Sequence, residues 1–288
     1  MESKNMRDDC VITEYRVYAD LPAKLTLGLV SDLHECNPGK VLTLLRQENP
    51  DLILIAGDTF ERHGAGKDTH REPDEGKLEK ILRYVLMRLD DLFERVSGAP
   101  DQDSEYAYRF LREAGKIAPV FLSTGNHEWY LLPEDMAVMK ECGVRLLDNM
   151  DCEVIVKGMM IRIGGLSSEP DQEWLDAYCE KRGYKILLCH HPEYYDRYLK
   201  GRKINLILSG HAHGGQIRIG NRGIYSPGQG LFPKYTKGVY DGKLVVSAGC
   251  SNTASVPRLG NPREVVMIDL IAETRERAAG LTCRGWCD

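Results

Sequence analysis

Residues 206–216 read LILSGHAHGGQ, a short apolar run that stops against two histidines one residue apart in a glycine-rich turn. An apolar run of this length bounded by Gly and polar residues reads as a buried strand. The same grammar recurs at SDLHE (31–35), AGD (56–58), TGNHE (124–128) and CHHP (189–192), each closing an apolar, β-prone stretch. Between them the periodicity changes to three and four. Asn37 and Pro38 suit the Ncap and N1 positions of a helix running to about Glu48. Further helices are expected over 77–96, 104–115, from Pro133 to about Cys142, and within 167–183.

Strand, polar turn, helix, strand is the βαβ pattern of a mostly buried sheet, so the fold class is α/β. Additional strands are expected at 10–18 and within 144–164, the latter forming a hairpin that turns near Lys157 and Gly158. An Asp-Gly hairpin in GVYDGKLVV and a closing strand in PREVVMIDL end the series. Residues 61–76 are charged, Gly-rich and aperiodic, and 61–116 as a whole reads as a loop and helical elaboration. No repeat and no Pro/Gly/Ser-rich linker divides the chain, which points to one domain over 1–288. The strands would form one large sheet, or two sheets face to face with helices outside.

With 42% hydrophobic residues the 288-residue chain can bury a substantial core. Its formal charge of −5 provides no general field for long nucleic acids or anionic membranes. The nine cysteines form no closely spaced framework, so they read as reduced thiols of an intracellular, cytoplasmic protein. Cys283 and Cys287, in the ending CRGWCD, match neither a C-x-x-C redox pair nor a zinc set. The opening residues lack a signal peptide's basic and apolar regions, and no run of apolar residues is long enough to span a membrane.

The histidines locate the chemistry. Of eight, His34, His127, His190, His191, His211 and His213 lie in the five strand-end clusters, and His63 and His70 lie in the loop. In open α/β sheets, ligands sit outside the carboxyl ends of strands, so five such clusters can meet in space. In extended backbone, residues i and i+2 share a side. Asp32 with His34, and His211 with His213, can then each point into one cavity. Carboxylate, imidazole and amide donors without thiolate favour divalent Mn, Fe, Zn or Co. Asp32, His34, Asp58, Asn126, His190, His211 and His213 are too many for one tetrahedral zinc and suit two ions sharing a carboxylate.

Asp32-x-His34, Gly57-Asp58, Gly125-Asn126-His127-Glu128, His190 and Gly210-His211-x-His213 together resemble the five blocks of the calcineurin-like metallophosphoesterases. Their spelling is closer to a bacterial branch of small phosphodiesterase-like members, over about 24–270. The resemblance implies a four-layer sandwich: two mixed β-sheets packed face to face and flanked by helices. It implies one metal held by Asp32, His34 and His213, a second held by Asn126, His190 and His211, and Asp58 bridging them. His127 would bind no metal but would steady the phosphoryl oxygens or protonate the leaving group. Many relatives have Asp where this chain has Glu128, and either acid would orient His127.

These assignments imply hydrolysis of a small phosphodiester by in-line attack of a metal-held hydroxide, with Mn²⁺ the first candidate and Fe or Zn the others. The alternatives are a phosphomonoester phosphatase and a non-catalytic metal-binding scaffold. Protein phosphatases carry GDxxDRG where this chain reads GDTFERH. HGAGKDTHR is not a P-loop, since it neither has the full motif nor joins a strand to a helix. His191 is open between a substrate contact and structure, and Tyr194, Tyr195 and Tyr198 between a cleft mouth and packing. Cys36 and Cys189 are expected to pack, Gly214 and Gly215 to allow a tight turn, and Gln216 to hydrogen-bond that turn.

Overall fold

The computed structural model describes residues 10–62, 102–226, 229–251 and 258–272. The first half runs β1 (Cys10–Ala19), β2 (Leu25–Val30), α1 (Gly39–Glu48), β3 (Leu52–Ala56), α2 (Ser104–Ala114), β4 (Val120–Ser123), α3 (Pro133–Glu141) and β5 (Arg145–Leu147). Then come β6 (Met150–Val156), β7 (Met159–Leu166), α4 (Gln172–Glu180), β8 (Tyr184–Cys189), a π-helical turn (Tyr195–Leu199) and β9 (Leu206–Ser209). Two short ribbons follow, β10 (Arg218–Ile219) with β11 (Arg222–Gly223) and β12 (Tyr225–Ser226) with β13 (Gly230–Leu231). Strands β14 (Gly238–Tyr240), β15 (Leu244–Val246) and β16 (Arg263–Ala272) complete the order.

Two six-stranded sheets result, ordered β1-β16-β2-β3-β4-β5 and β14-β15-β9-β8-β7-β6. Alternation along β3 shows how they stack. Leu52 and Leu54 join Ile161, Ile163, Ile186, Leu188, Leu206 and Leu208 in a core between the sheets. Ile53 and Ile55 point the other way, onto Val41, Leu45, Phe110 and Leu111 of α1 and α2. On the second sheet Leu187 and Ile207 face outward against Leu175 and Tyr178 of α4 and Leu199. A strand buried on both faces needs an unbroken apolar run, which is why these segments lack polar alternation. The layers are helix, sheet, sheet, helix, and both sheets are mixed: β2, β3, β4 and β5 run parallel while β16 pairs antiparallel with β2.

Several local expectations need adjustment. Helix α1 begins at Gly39, with Pro38 as its cap; the Asn37 side chain accepts from the Gly39 N–H at 3.0 Å in a local turn instead of serving as the cap. The hairpin at Lys157 and Gly158 forms as read, both residues left-handed (φ 50° and 76°), as a two-residue turn between twisted strands requires. The expected helix over 77–96, and all of the 61–76 loop except Glu61 and Arg62, lie outside the described residues.

Candidate metal centre

The ends of β2, β3 and β4 from one sheet and of β8 and β9 from the other converge. Past β2 and β3 the chains stay joined by backbone bonds: Asp32 N to Gly57 O (3.1 Å), His34 N to Asp58 O (2.9 Å) and Glu35 N to Thr59 O (3.0 Å). The backbone here is not extended. Asp32, His34, Asp58, His211 and His213 all have left-handed φ, between 44° and 63°. Such a concentration in non-glycine residues marks stored strain held in place by its surroundings.

This local curl revises the expected way the ligands meet. Asp32 and His34 do reach one point, but through left-handed turns and not by sharing a strand face. His211 and His213 separate into different donor groups, Asp32 with His34 and His213, and Asp58 with His190 and His211; His34, Glu61 and His127 form a third group and His191, Glu193 and His211 a fourth, the atoms of each lying within 4.8 Å of one another. Close backbone approach makes this possible. A Cβ on Gly125 would lie 2.1 Å from Asp58 Oδ1, so only glycine lets the β4 turn press against the carboxylate.

The donors fit cations. Asp58 Oδ2 lies 2.9 Å from His190 Nε2, 3.7 Å from His34 Nε2 and 3.9 Å from His127 Nε2, yet it is buried with no hydrogen bond of acceptable geometry. His190 Nδ1 donates to Ala56 O at 2.7 Å, which directs the Nε2 lone pair at Asp58 and at Asn126 Oδ1, 3.1 Å away. Three acceptors meeting at one point require positive charge between them, either a proton on Nε2 or a cation. Asp32 Oδ2 and His34 Nε2 are likewise buried and unpartnered. Asn126 therefore sits beside the Asp58 group, as a ligand there must.

The electrostatics follow from these contacts. Burial favours a neutral Asp58, but the imidazoles of His190, His127 and His34 outweigh it and hold the carboxyl well below its usual range. Burial also opposes charge on His127, but Asp58 and then Glu61 overcome it and raise the imidazole to about 9. His190 rises to about 10 for the same reason, Asp58 outweighing burial. Burial pushes His211 and His213 well below 6.5, into the neutral form that binds metal.

Glu128 takes a different place from the one expected. Its oxygens accept from the backbone N–H groups of Asp58 (2.9 Å), Thr59 (2.5 Å), Phe60 (3.0 Å) and Gly125 (2.6 Å). A buried carboxylate gathering four amides fixes the β3 turn against the β4 turn, and it is not the acceptor found at His127. That acceptor is Glu61, whose Oε2 lies 2.9 Å from His127 Nδ1 and whose Oε1 lies 2.5 Å from His34 Nδ1. Glu61 stands three residues after Asp58 in GDTFERH, and that offset was the available signal. Arg62 turns inward onto Asp135 and Glu35.

His191 is buried against the rings of His211 (4.5 Å) and Tyr194 (4.7 Å), with Nε2 3.0 Å from Ser168 Oγ. Tyr195 is core, its hydroxyl donating to Asp241. Cys189 is packed, as is Cys36. Gly214 and Gly215 turn with φ of 66° and 76°, but the Gln216 amide does not tie that turn, since both of its polar atoms are buried without partners. Asn261 Nδ2 does so, donating to the carbonyls of His213 (2.7 Å) and Gln216 (3.2 Å). Arg258 Nη2 lies 3.2 Å from His213 Nδ1, and no feature of PRLGNPREV announced it.

Two sheets in four layers and a cluster of imidazoles and carboxylates at their strand ends define a metallophosphoesterase-type fold and site. The chain belongs to the calcineurin-like phosphoesterase family, whose model matches residues 25–215, and it is a metal-dependent phosphoric ester hydrolase. It is 26% identical over 252 residues to the uncharacterized protein YpbG of Bacillus subtilis, covering 85% of this chain and 81% of that one. It is also 26% identical to an uncharacterized metallophosphoesterase of Campylobacter jejuni, Cj0846, over 85% of this chain but 57% of the relative's length. Among solved structures, a 5'-nucleotidase precursor from Thermus thermophilus aligns at 16% identity and a TM-score of 0.44, over 86% of this chain and 54% of that one.

Proposed function

We propose that this chain hydrolyses a small phosphodiester at a two-cation site, with Asp32, His34 and His213 holding one ion, Asn126, His190 and His211 the other, and Asp58 shared. The observation that carries the reading is the fully buried Asp58 carboxylate, whose Oδ2 has three imidazole nitrogens around it at 2.9, 3.7 and 3.9 Å. The chemistry supplied by two bound divalent cations is Lewis-acid charge toward the phosphoryl oxygens and an acidified water for in-line attack. Mn²⁺ is the first candidate, with Fe or Zn next, because the donors are hard or borderline and include no thiolate.

His127 supplies the proton. Its Nδ1 donates to Glu61, which fixes the ring so that Nε2 faces the Asp58 carboxylate side, and the Glu61 carboxylate favours the protonated ring. Protonating an alkoxide leaving group is what diester cleavage demands of a general acid. Glu61 is thus a positioning residue, and Glu128 a fixed part of the turn. We read the chain, 1–288, as a single domain, since the candidate ligands come from both sheets, and a reducing cytoplasm suits its seven described free cysteines. Monoester hydrolysis is the second reading, favoured by the extra cation Arg258 beside His213.

The test is the ratio of turnover on an aryl phosphodiester to turnover on the matching monoester, in protein stripped of metal and reloaded with Mn²⁺. Asp58→Asn, run alongside, is expected to lose metal and at least about 100-fold in activity, more than typical losses from outer-shell changes. A monoester preference overturns the substrate class. Full metal content and turnover in Asp58→Asn overturn the shared-ligand assignment.

A further inference from the structure

Arg258 is a partly buried cation with unfilled donors. Its Nη2 donates to Ala248 O and lies 3.2 Å from His213 Nδ1, while Nε and Nη1 are buried with no partner. Among the described residues no carboxylate pairs with it. Glu264 accepts from Thr13, Lys237 and the Ala248 N–H, and Asp32 Oδ1 accepts from the His211 N–H. Leaving a charged group both desolvated and unpaired is costly, so such a group ordinarily has an anion to meet. A guanidinium is the side chain whose shape and donors match phosphate oxygens best.

Its position says which anion. The ring of His127 meets His34 edge-on with centroids 4.5 Å apart, His34 stacks on His213 at 5.4 Å, and Arg258 follows at His213. These contacts link the four side chains in succession, from the proton donor His127 to a guanidinium that meets no carboxylate among the described residues. We infer that Arg258 binds a nonbridging oxygen of the substrate's phosphoryl group, from the His213 side of the site. This rests on the phosphoesterase reading above and adds a residue that grips the anion from outside the metal ligands.

The experiment uses the full chain reloaded with Mn²⁺ and orthophosphate as the probe. Isothermal titration gives its dissociation constant, elemental analysis gives metal content, and KM and kcat are measured on whichever aryl ester the wild type hydrolyses. Arg258→Gln is expected to weaken orthophosphate binding by about tenfold or more, the scale of one charged hydrogen bond, and to raise KM with metal content unchanged. Arg258→Lys should recover part of the loss. In zinc-loaded wild-type protein the Arg258 Nε–H resonance, identified by its absence in Arg258→Lys, should shift on adding orthophosphate, which decides the matter even if Arg258→Gln fails to fold. Orthophosphate affinity within twofold of wild type, an unmoved Nε–H signal, or metal lost in step with phosphate would each overturn the assignment. Wild-type protein that binds orthophosphate through Arg258 yet cleaves neither ester would refute the enzymatic reading while leaving this one intact.

Discussion

Glu61 joins two histidines with different duties, accepting from His34 through one oxygen and from His127 through the other. In metal-free protein His127 should keep its proton to about pH 9, because the pull of Asp58 and Glu61 exceeds the cost of burial. The sign is that of a raised imidazole: the stabilisation is fully present below the unfolded value near 6.5 and is lost as pH climbs through about 9. Glu61→Gln should lower that titration by on the order of one pH unit, a charged hydrogen bond's worth. Histidine proton resonances followed across pH check it, and a His127 titrating near 6.5 in both proteins would show the contact to be idle. At this scale the sequence was legible for the donors and poorly legible for their partners. The seven ligand candidates lie in short motifs that carry their own chemistry. Glu61 and Glu128, in contrast, differ only in which turn folds over them: the amides of residues 58–60 curl onto Glu128, and Glu61 is left for the histidines.

The turn after β3 is built as a nest of amides around an acid, so its stability depends on the acid keeping two acceptor oxygens. Glu128→Gln places an NH₂ against N–H donors and should cost about 2–4 kcal/mol, two charged hydrogen bonds lost or inverted. A thermal scan should register a fall of roughly 4–16 °C, at about 2–4 °C per kcal/mol for a chain of this size; an unchanged midpoint would mean the nest carries little. Strands could be read because they are buried on both faces, as Ile53 and Leu54 illustrate by serving opposite layers. The ribbons β10 to β13 were not legible, since strands of two residues carry no period. Nor was the π-helical turn at Tyr195–Leu199, whose aromatics suited either a cleft or a core until the burial of Tyr195 decided for the core.

For the whole molecule, the donors straddle the interface between the sheets: Asp32, His34, Asp58 and Asn126 follow strands of one, and His190, His211 and His213 follow strands of the other. Under the proposed assignment, ions bound there would act as a clasp between layers. Chelation should lower the unfolding midpoint by several degrees, since a ligand at about 100 times its dissociation constant adds about 2.7 kcal/mol, and Mn²⁺ should restore it. An identical midpoint with and without chelator would mean the donors do not bind across the interface. The strand patterns alone left the sandwich as one of two options, because one wide sheet and two stacked sheets share them, and the resemblance of the five motifs chose the sandwich that the structure has; the direction of β16, antiparallel to β2 and parallel to β1, is not written in any local period. That strand has a consequence for how the chain assembles. Cys10 pairs in register with Arg263 and Ala19 with Ala272, while β16 lies between β1 and β2. During synthesis β1 therefore leaves the ribosome with no neighbour to join until β16 has emerged, so the first sheet gains its outer edge only after the strands of the second sheet have been made.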